Sequence, residues 1–133
     1  MDSIIANMIP KAHSLLANSY APYSRFNVAC CIESEAGNFY TGVNIENSSY
    51  GLTVCAETSA ISAMVTAGEC RIKNIVILAG TNKLCSPCGA CRQRIHEFAI
   101  SGTMVHLCNK DSILHSLSIK ELLPLAFDFD VKP

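Results

Sequence analysis

The chain has no excess of charge of either sign: 10 lysines and arginines stand against 11 aspartates and glutamates, a net charge of −1. Proteins that hold duplex DNA or long RNA neutralise phosphates with a concentrated basic surface, so no nucleic-acid partner is expected. Also missing is any apolar run approaching the ~18 residues that a membrane-crossing helix needs. The N-terminus lacks the basic-then-apolar pattern of a secretory leader. From these two absences the expected setting is the cytoplasm, with no membrane partner. Repeats, low-complexity tracts and linkers are absent too, so residues 1–133 read as a single domain. Charged side chains are scarce, at 16% of the chain, while half of it is hydrophobic. A small monomer hides that much apolar surface poorly, which points to an oligomer.

What is abundant is cysteine, with eight in the chain. Without a leader these thiols belong in a reducing compartment, where clustered cysteines more often bind metal or do chemistry than form disulfides. Cys88 and Cys91 follow a proline in Pro87-Cys88-Gly89-Ala90-Cys91, ahead of a helix expected over residues 92–99. Two sulfurs three residues apart share one face of a helical turn, and the free N–H groups and positive dipole end of that turn favour thiolates. That is half of a tetrahedral zinc site. Cys55 offers a third sulfur from the start of a second helix, expected over residues 55–67 and closed by Gly68. Glu57 lies too near Cys55 along the chain to ligate comfortably beside it and is placed for general acid–base work. Three ligands and an open fourth position describe a catalytic zinc, which brings the pKa of a bound water down to about 7.

Cys-Ala-Glu followed by Pro-Cys-x-x-Cys is the general pattern of zinc nucleobase deaminases, in which a non-ligand glutamate moves protons. Three alternatives stand beside it. Cys85, Cys88 and Cys91 form part of a ferredoxin-type run, but Ile95 occupies the next ligand's place. Cys85 as a fourth ligand would close the site into a structural zinc and leave Glu57 without a role. A third keeps the chemistry and changes the substrate to a modified base or another nucleoside. Cys30, Cys31, Cys70 and Cys108 read as small buried hydrophobes, and His13, His96, His106 and His115 as structural or surface residues.

Along the chain, residues 2–18 carry apolar side chains at helical spacing, with Asp2 or Ser3 as cap. Residues 20–26 form an aromatic-rich loop bent by Pro22, and residues 27–33 and 38–45 read as a hairpin turning at 35–38. Alternation places Asn44 and Glu46 on one face, an amide and a carboxylate able to grip hydroxyls together. Residues 73–79 are a buried strand, 80–87 a loop and 104–108 a strand. A short helix over 117–123 is capped by Ser118, and 124–133 form an irregular tail. Two hairpin strands followed by α-β-α-β give an α/β fold, a mixed sheet with helices on both faces.

Five stretches carry a resemblance: Tyr20-Ala-Pro-Tyr-Ser-Arg-Phe26, Gly42-Val-Asn-Ile-Glu-Asn47, Cys55-Ala-Glu57, Ser86-Pro-Cys-Gly-Ala-Cys-Arg-Gln93 and Glu121-Leu-Leu-Pro-Leu-Ala-Phe127. In that order, over nearly the whole chain, it resembles the small homotetrameric cytidine deaminases. The resemblance implies a three-layer α/β/α sandwich around a mixed five-stranded sheet. It implies one Zn2+ per chain on Cys55, Cys88 and Cys91, with Glu57 as the proton carrier. Asn44 and Glu46 would bind the ribose, Phe26 would pack on the nucleoside, and backbone groups near Ala56 and Ser86 would orient the base edge. Tyr50 and Phe127 would complete or border a neighbouring subunit's pocket in a homotetramer. The implied activity is hydrolysis of cytidine and deoxycytidine to uridine and deoxyuridine with release of ammonia, in pyrimidine salvage.

One position departs from the family pattern. Three-cysteine members usually read Cys-Ala-Glu-Arg, with the arginine offsetting thiolate charge, and this chain has Thr58 there. Arg92, directly after the last ligand, is the nearest cation in sequence. Either it aims N–H groups at a thiolate or it bonds to backbone or a neighbouring subunit.

Overall fold

The computed structural model describes residues 2–129. In chain order the elements are α1 (Ser3–His13), β1 (Val28–Ser34), β2 (Phe39–Val43), α2 (Ala56–Thr66), β3 (Ile72–Ala79), α3 (Gly89–Phe98), β4 (Ala99–Cys108), β5 (Ile113–Ser118) and α4 (Ile119–Leu122). The strands form one sheet in the order β2-β1-β3-β4-β5. Only the β3–β4 pair is parallel; the other three pairs are antiparallel. A parallel pair needs a crossover, and α3 is that crossover.

Strand alternation sends side chains to two cores. Ala29, Cys31, Val76, Leu78 and Cys108 meet Ile5, Met8, Ile9 and Ala12 of α1 on one face. Cys30, Ile32, Ile75, Ile77, Val105 and Leu107 meet α2, α3 and α4 on the other, through Ala60, Met64, Ile95 and Leu122. All seven residues of β1 are buried, as a strand covered by helices on both sides requires. This is the three-layer α/β/α sandwich with a mixed five-stranded sheet. No helix among the described residues is long and apolar enough to cross a membrane.

Several elements differ from the sequence reading, and β4, expected from residue 104, begins at Ala99. The first helix stops at His13, and residues Leu16–Asn18 form a separate 3-10 turn. The strand Ile113–Ser118 covers residues 113–116, to which the sequence reading assigns no element, and the start of the expected helix; at the sheet edge, with only part of its length covered, it lacks a clean apolar alternation. Ser118 does cap the short helix, which begins one residue later: its hydroxyl accepts the Glu121 N–H, and the Glu121 carboxylate accepts the Ser118 N–H. Cys70 is exposed, whereas Cys30, Cys31 and Cys108 are buried as expected. Of the expected irregular tail, 124–129 carry no helix or strand, and 130–133 lie outside the described residues.

Candidate active site

Two helix starts meet at one point. Cys55 is the N-cap residue of α2 and Cys88 that of α3, both in extended backbone conformation. Because α3 begins at Gly89, three residues earlier than the sequence suggested, Cys91 falls in its first turn. The sulfurs of Cys55, Cys88 and Cys91 all lie within 4.8 Å of one another. Tetrahedral zinc with bonds of about 2.3 Å places its sulfurs ~3.8 Å apart, so the cluster has the compactness and the soft donors for that ion. Cys85 is not part of this set, which removes the support for a closed four-cysteine site.

The same crowding that suits a cation raises the thiols without one. Burial lifts Cys91 strongly, and the Glu57 and neighbouring thiol charges lift it further. Cys55 is raised mainly by burial. Cys88 differs: burial pushes it up, but the amides of Cys91 and Ala90 at the start of α3 and the neighbouring thiols bring it below its ordinary value. Half-buried Cys85 is pushed up to about 11 by burial and by the charges of Glu57 and Cys55.

Glu57, in the first turn of α2, is 5% exposed. Burial raises its carboxyl above the ordinary value, while its own backbone, Cys91 and the Arg94 charge pull the other way. A carboxyl raised above its ordinary value is better matched to proton shuttling than an exposed one. Glu57 opens onto a cavity of about 210 Å³ together with Phe26, Asn44, Cys55, Ala56, Ser86 and Cys88. Seven residues expected at a site thus line one hollow, and Cys91 sits buried behind it. Val28, Thr53 and Cys85 complete the wall. Val28 and Thr53 carry no site signal by type, whereas Cys85 is the fourth ligand of the closed-site alternative; the folding of β1 and two loops brings all three here. Two larger hollows, of about 360 and 400 Å³, contain no metal-ligating set.

Asn44 and Glu46 both reach the aromatic loop. The Asn44 oxygen accepts the Val28 N–H at 3.0 Å and the Ser19 hydroxyl, and its amide donates to the Phe26 carbonyl at 2.8 Å. Glu46 accepts the N–H groups of Tyr23 at 3.0 Å and Ser24 at 3.1 Å, and the Ser24 hydroxyl. These bonds, the Ser24 hydroxyl foremost, hold the Glu46 carboxyl below its usual value. Asn44 lines the cavity and Glu46 does not. Ser19 and Ser24, which the sequence did not mark, are therefore part of the wall's support.

Tyr50 and Phe127 lie outside the cavity, 79% and 65% exposed. The Phe127 carbonyl accepts a bond from the Gln93 amide on α3, and its ring meets Phe129 edge-on at 5.2 Å. Arg92 takes the second of its two expected roles. Its Nε donates to the Pro87 carbonyl at 2.9 Å, Nη1 to the Leu122 carbonyl at 2.7 Å and Nη2 to the Ser86 hydroxyl at 2.9 Å. Those bonds tie α4 and the Ser86 loop to α3, and none of them goes to a sulfur.

Comparison with known proteins agrees with this geometry. Residues 3–107 match the family model described as the cytidine and deoxycytidylate deaminase zinc-binding region. A cytidine deaminase of Mycoplasma genitalium is 42% identical over 121 residues, covering 90% of this chain and 92% of that protein. One from Halalkalibacterium halodurans is 38% identical over 120 residues, covering 90% and 91%. The crystal structure of the Mycobacterium tuberculosis cytidine deaminase superposes with a TM-score of 0.83 at 32% identity, covering 97% of this chain and 99% of that one. The Burkholderia pseudomallei enzyme gives 0.83 at 35% identity, covering 92% and 98%. With most of its length inside the family model and relatives matched nearly end to end, the chain belongs to the cytidine and deoxycytidylate deaminase zinc-binding family.

Proposed function

We propose that this chain hydrolyses the 4-amino group of cytidine and deoxycytidine, giving uridine and deoxyuridine and releasing ammonia. The single observation that carries this reading is the buried Glu57 carboxyl beside the three-cysteine cluster, on the wall of a cavity shared with Phe26 and Asn44. Cys55, Cys88 and Cys91 would hold one Zn2+, whose contribution when bound is to polarise a water for attack at C4 of the base. Glu57 takes a proton from that water and passes it to N3 of the ring; it then takes the proton of the new C4 hydroxyl and gives it to the departing amine, so that C4 becomes a carbonyl as ammonia leaves. One carboxyl serves all these transfers, and burial, which raises its pKa above the ordinary carboxylate value, makes it a better proton donor than an exposed glutamate.

The remaining residues position the nucleoside. Phe26 packs on its face, and backbone groups near Ala56 and Ser86 read the base edge. Asn44 and Glu46 already accept hydroxyls, those of Ser19 and Ser24, and sugar hydroxyls are the natural replacements for these partners. The exposed Tyr50, Leu52, Phe127 and Phe129 are apolar surface in need of a cover. A homotetramer in which Tyr50 and Phe127 border a neighbour's pocket supplies one. The proposed setting is cytoplasmic pyrimidine salvage. The test is zinc per chain together with the ultraviolet-monitored turnover of cytidine: about one zinc and ready conversion are expected, and a zinc-loaded protein inert toward cytidine would overturn the reading.

A further inference from the structure

The cluster has a charge imbalance that its own groups do not settle. Three thiolates carry more negative charge than a divalent ion cancels, and the buried Glu57 carboxyl adds to it. The N-terminal ends of α2 and α3 offset part of this. Arg92, the adjacent cation in sequence, is committed to Pro87, Leu122 and Ser86. Thr58, in the first turn of α2, is uncharged.

Arg94 is differently placed. It lies on α3 three residues after Cys91, a spacing that makes the two near neighbours on one side of the helix. Helix α3 packs against α2, which carries both Glu57 and Thr58. No hydrogen bond or salt bridge holds the Arg94 guanidinium among the described residues, so its charge is unspent.

We propose that Arg94 is the cation that balances the Cys55, Cys88 and Cys91 thiolates, acting from α3 where Thr58 on α2 provides no charge. It is a positioning residue: it touches neither the cavity nor a ligand and works through the field it places on the cluster. The proposal rests on the zinc reading above. Only the charge matters at this distance, so lysine serves nearly as well as arginine, and a cation from the α2 side substitutes for it.

The experiment is a zinc-affinity measurement by competition with a chromogenic chelator, on wild type, Arg94→Gln, Arg94→Lys and Arg94→Gln with Thr58→Arg. At low ionic strength Arg94→Gln is expected to bind zinc roughly three- to tenfold more weakly, the effect of one charge acting without direct contact in a partly solvated region. The gap should close toward ~0.5 M salt, because the guanidinium is exposed and screened. Arg94→Lys should stay near wild type, the double variant should regain affinity, and KM for cytidine should hold while kcat falls in Arg94→Gln. An Arg94→Gln affinity equal to wild type at low salt overturns the proposal and leaves the zinc reading intact. A loss that is the same at all salt concentrations and unrelieved by lysine also overturns it, showing a packing role. Wild type that binds no zinc overturns both.

Discussion

Gly42 of β2 lies so close to Ala60 of α2 that a Cβ at position 42 would stand 2.4 Å from the Ala60 backbone nitrogen. It would also stand 2.6 Å from the Ala56 carbonyl oxygen and 2.7 Å from the Ser59 Cβ. One residue on, the Ser59 hydroxyl donates to the Val43 carbonyl at 2.9 Å, pinning the helix at that height. The helix held this way begins beside Cys55 and carries Glu57, so the fit of strand to helix sets where both stand relative to the α3 cysteines.

Gly42→Ala therefore forces α2 off the sheet. Overpacking of this kind typically costs about 1–3 kcal/mol, and the obstacles here are backbone atoms that cannot rotate away. Urea unfolding should show that loss, and the variant should bind zinc more weakly because Cys55 moves with the helix. Unchanged stability and zinc affinity would mean that α2 tolerates the shift.

Glu57→Gln should keep zinc and fold yet lose most turnover, since an amide cannot carry a proton. A general acid–base group is typically worth ~10²–10⁴-fold, and one that serves several steps belongs at the upper end. Metal analysis separates this residue from its neighbours. Cys55→Ala, Cys88→Ala and Cys91→Ala should each lose zinc, while Cys85→Ala, outside the cluster, should retain it. Near-normal turnover by Glu57→Gln, or zinc loss on removing Cys85, would contradict the assignment.

The Asn44 and Glu46 pair predicts the substrate class. Free cytosine lacks the hydroxyls that the pair would receive, and a site built for hydroxyls rejects analogues without them by up to ~10⁴–10⁵-fold. Comparing kcat/KM for cytosine, cytidine and deoxycytidine checks this. Equal efficiency for cytosine and cytidine would reduce both residues to braces of the 20–26 loop.

A pH effect on stability should come from the far side of the sheet. His106, 8% exposed, has Nε2 2.9 Å from the Asn74 side-chain oxygen and Nδ1 2.8 Å from the Ser116 hydroxyl. Asn74 donates its own amide to Glu33 at 2.9 Å, so its oxygen accepts and the neutral ring carries its proton on Nε2. Burial lowers the His106 pKa from 6.5, with the Asp2 charge opposing in part. A depressed histidine favours the fold above its unfolded pKa, and that contribution is lost as pH falls from about 6.5 through the lower folded value. The urea midpoint should therefore drop between pH 7.5 and 5, and His106→Gln should flatten the drop. A His106→Gln curve as steep as wild type would assign the titration elsewhere.

The metal cluster and Glu57 were legible in the chain because their geometry is local. A proline followed by cysteines three apart needs only one helical turn to align two sulfurs, and Glu57 stands two residues from the third. A continuous apolar, β-branched run likewise marked the buried strand at 73–79, which helices cover on both faces. Contacts between distant segments left no such trace. Arg92 meets the Leu122 carbonyl thirty residues away, and Glu46 meets Ser24 across twenty-two. Thr53 and Cys85 reach the cavity wall from separate loops, and β5 is defined by its pairing to β4 rather than by its own pattern. Spacing rules act over a turn or a strand, where the backbone itself sets the distance. Which carbonyl receives a guanidinium, and which helix lends its charge to a metal site, is decided only when the sheet closes and its layers pack.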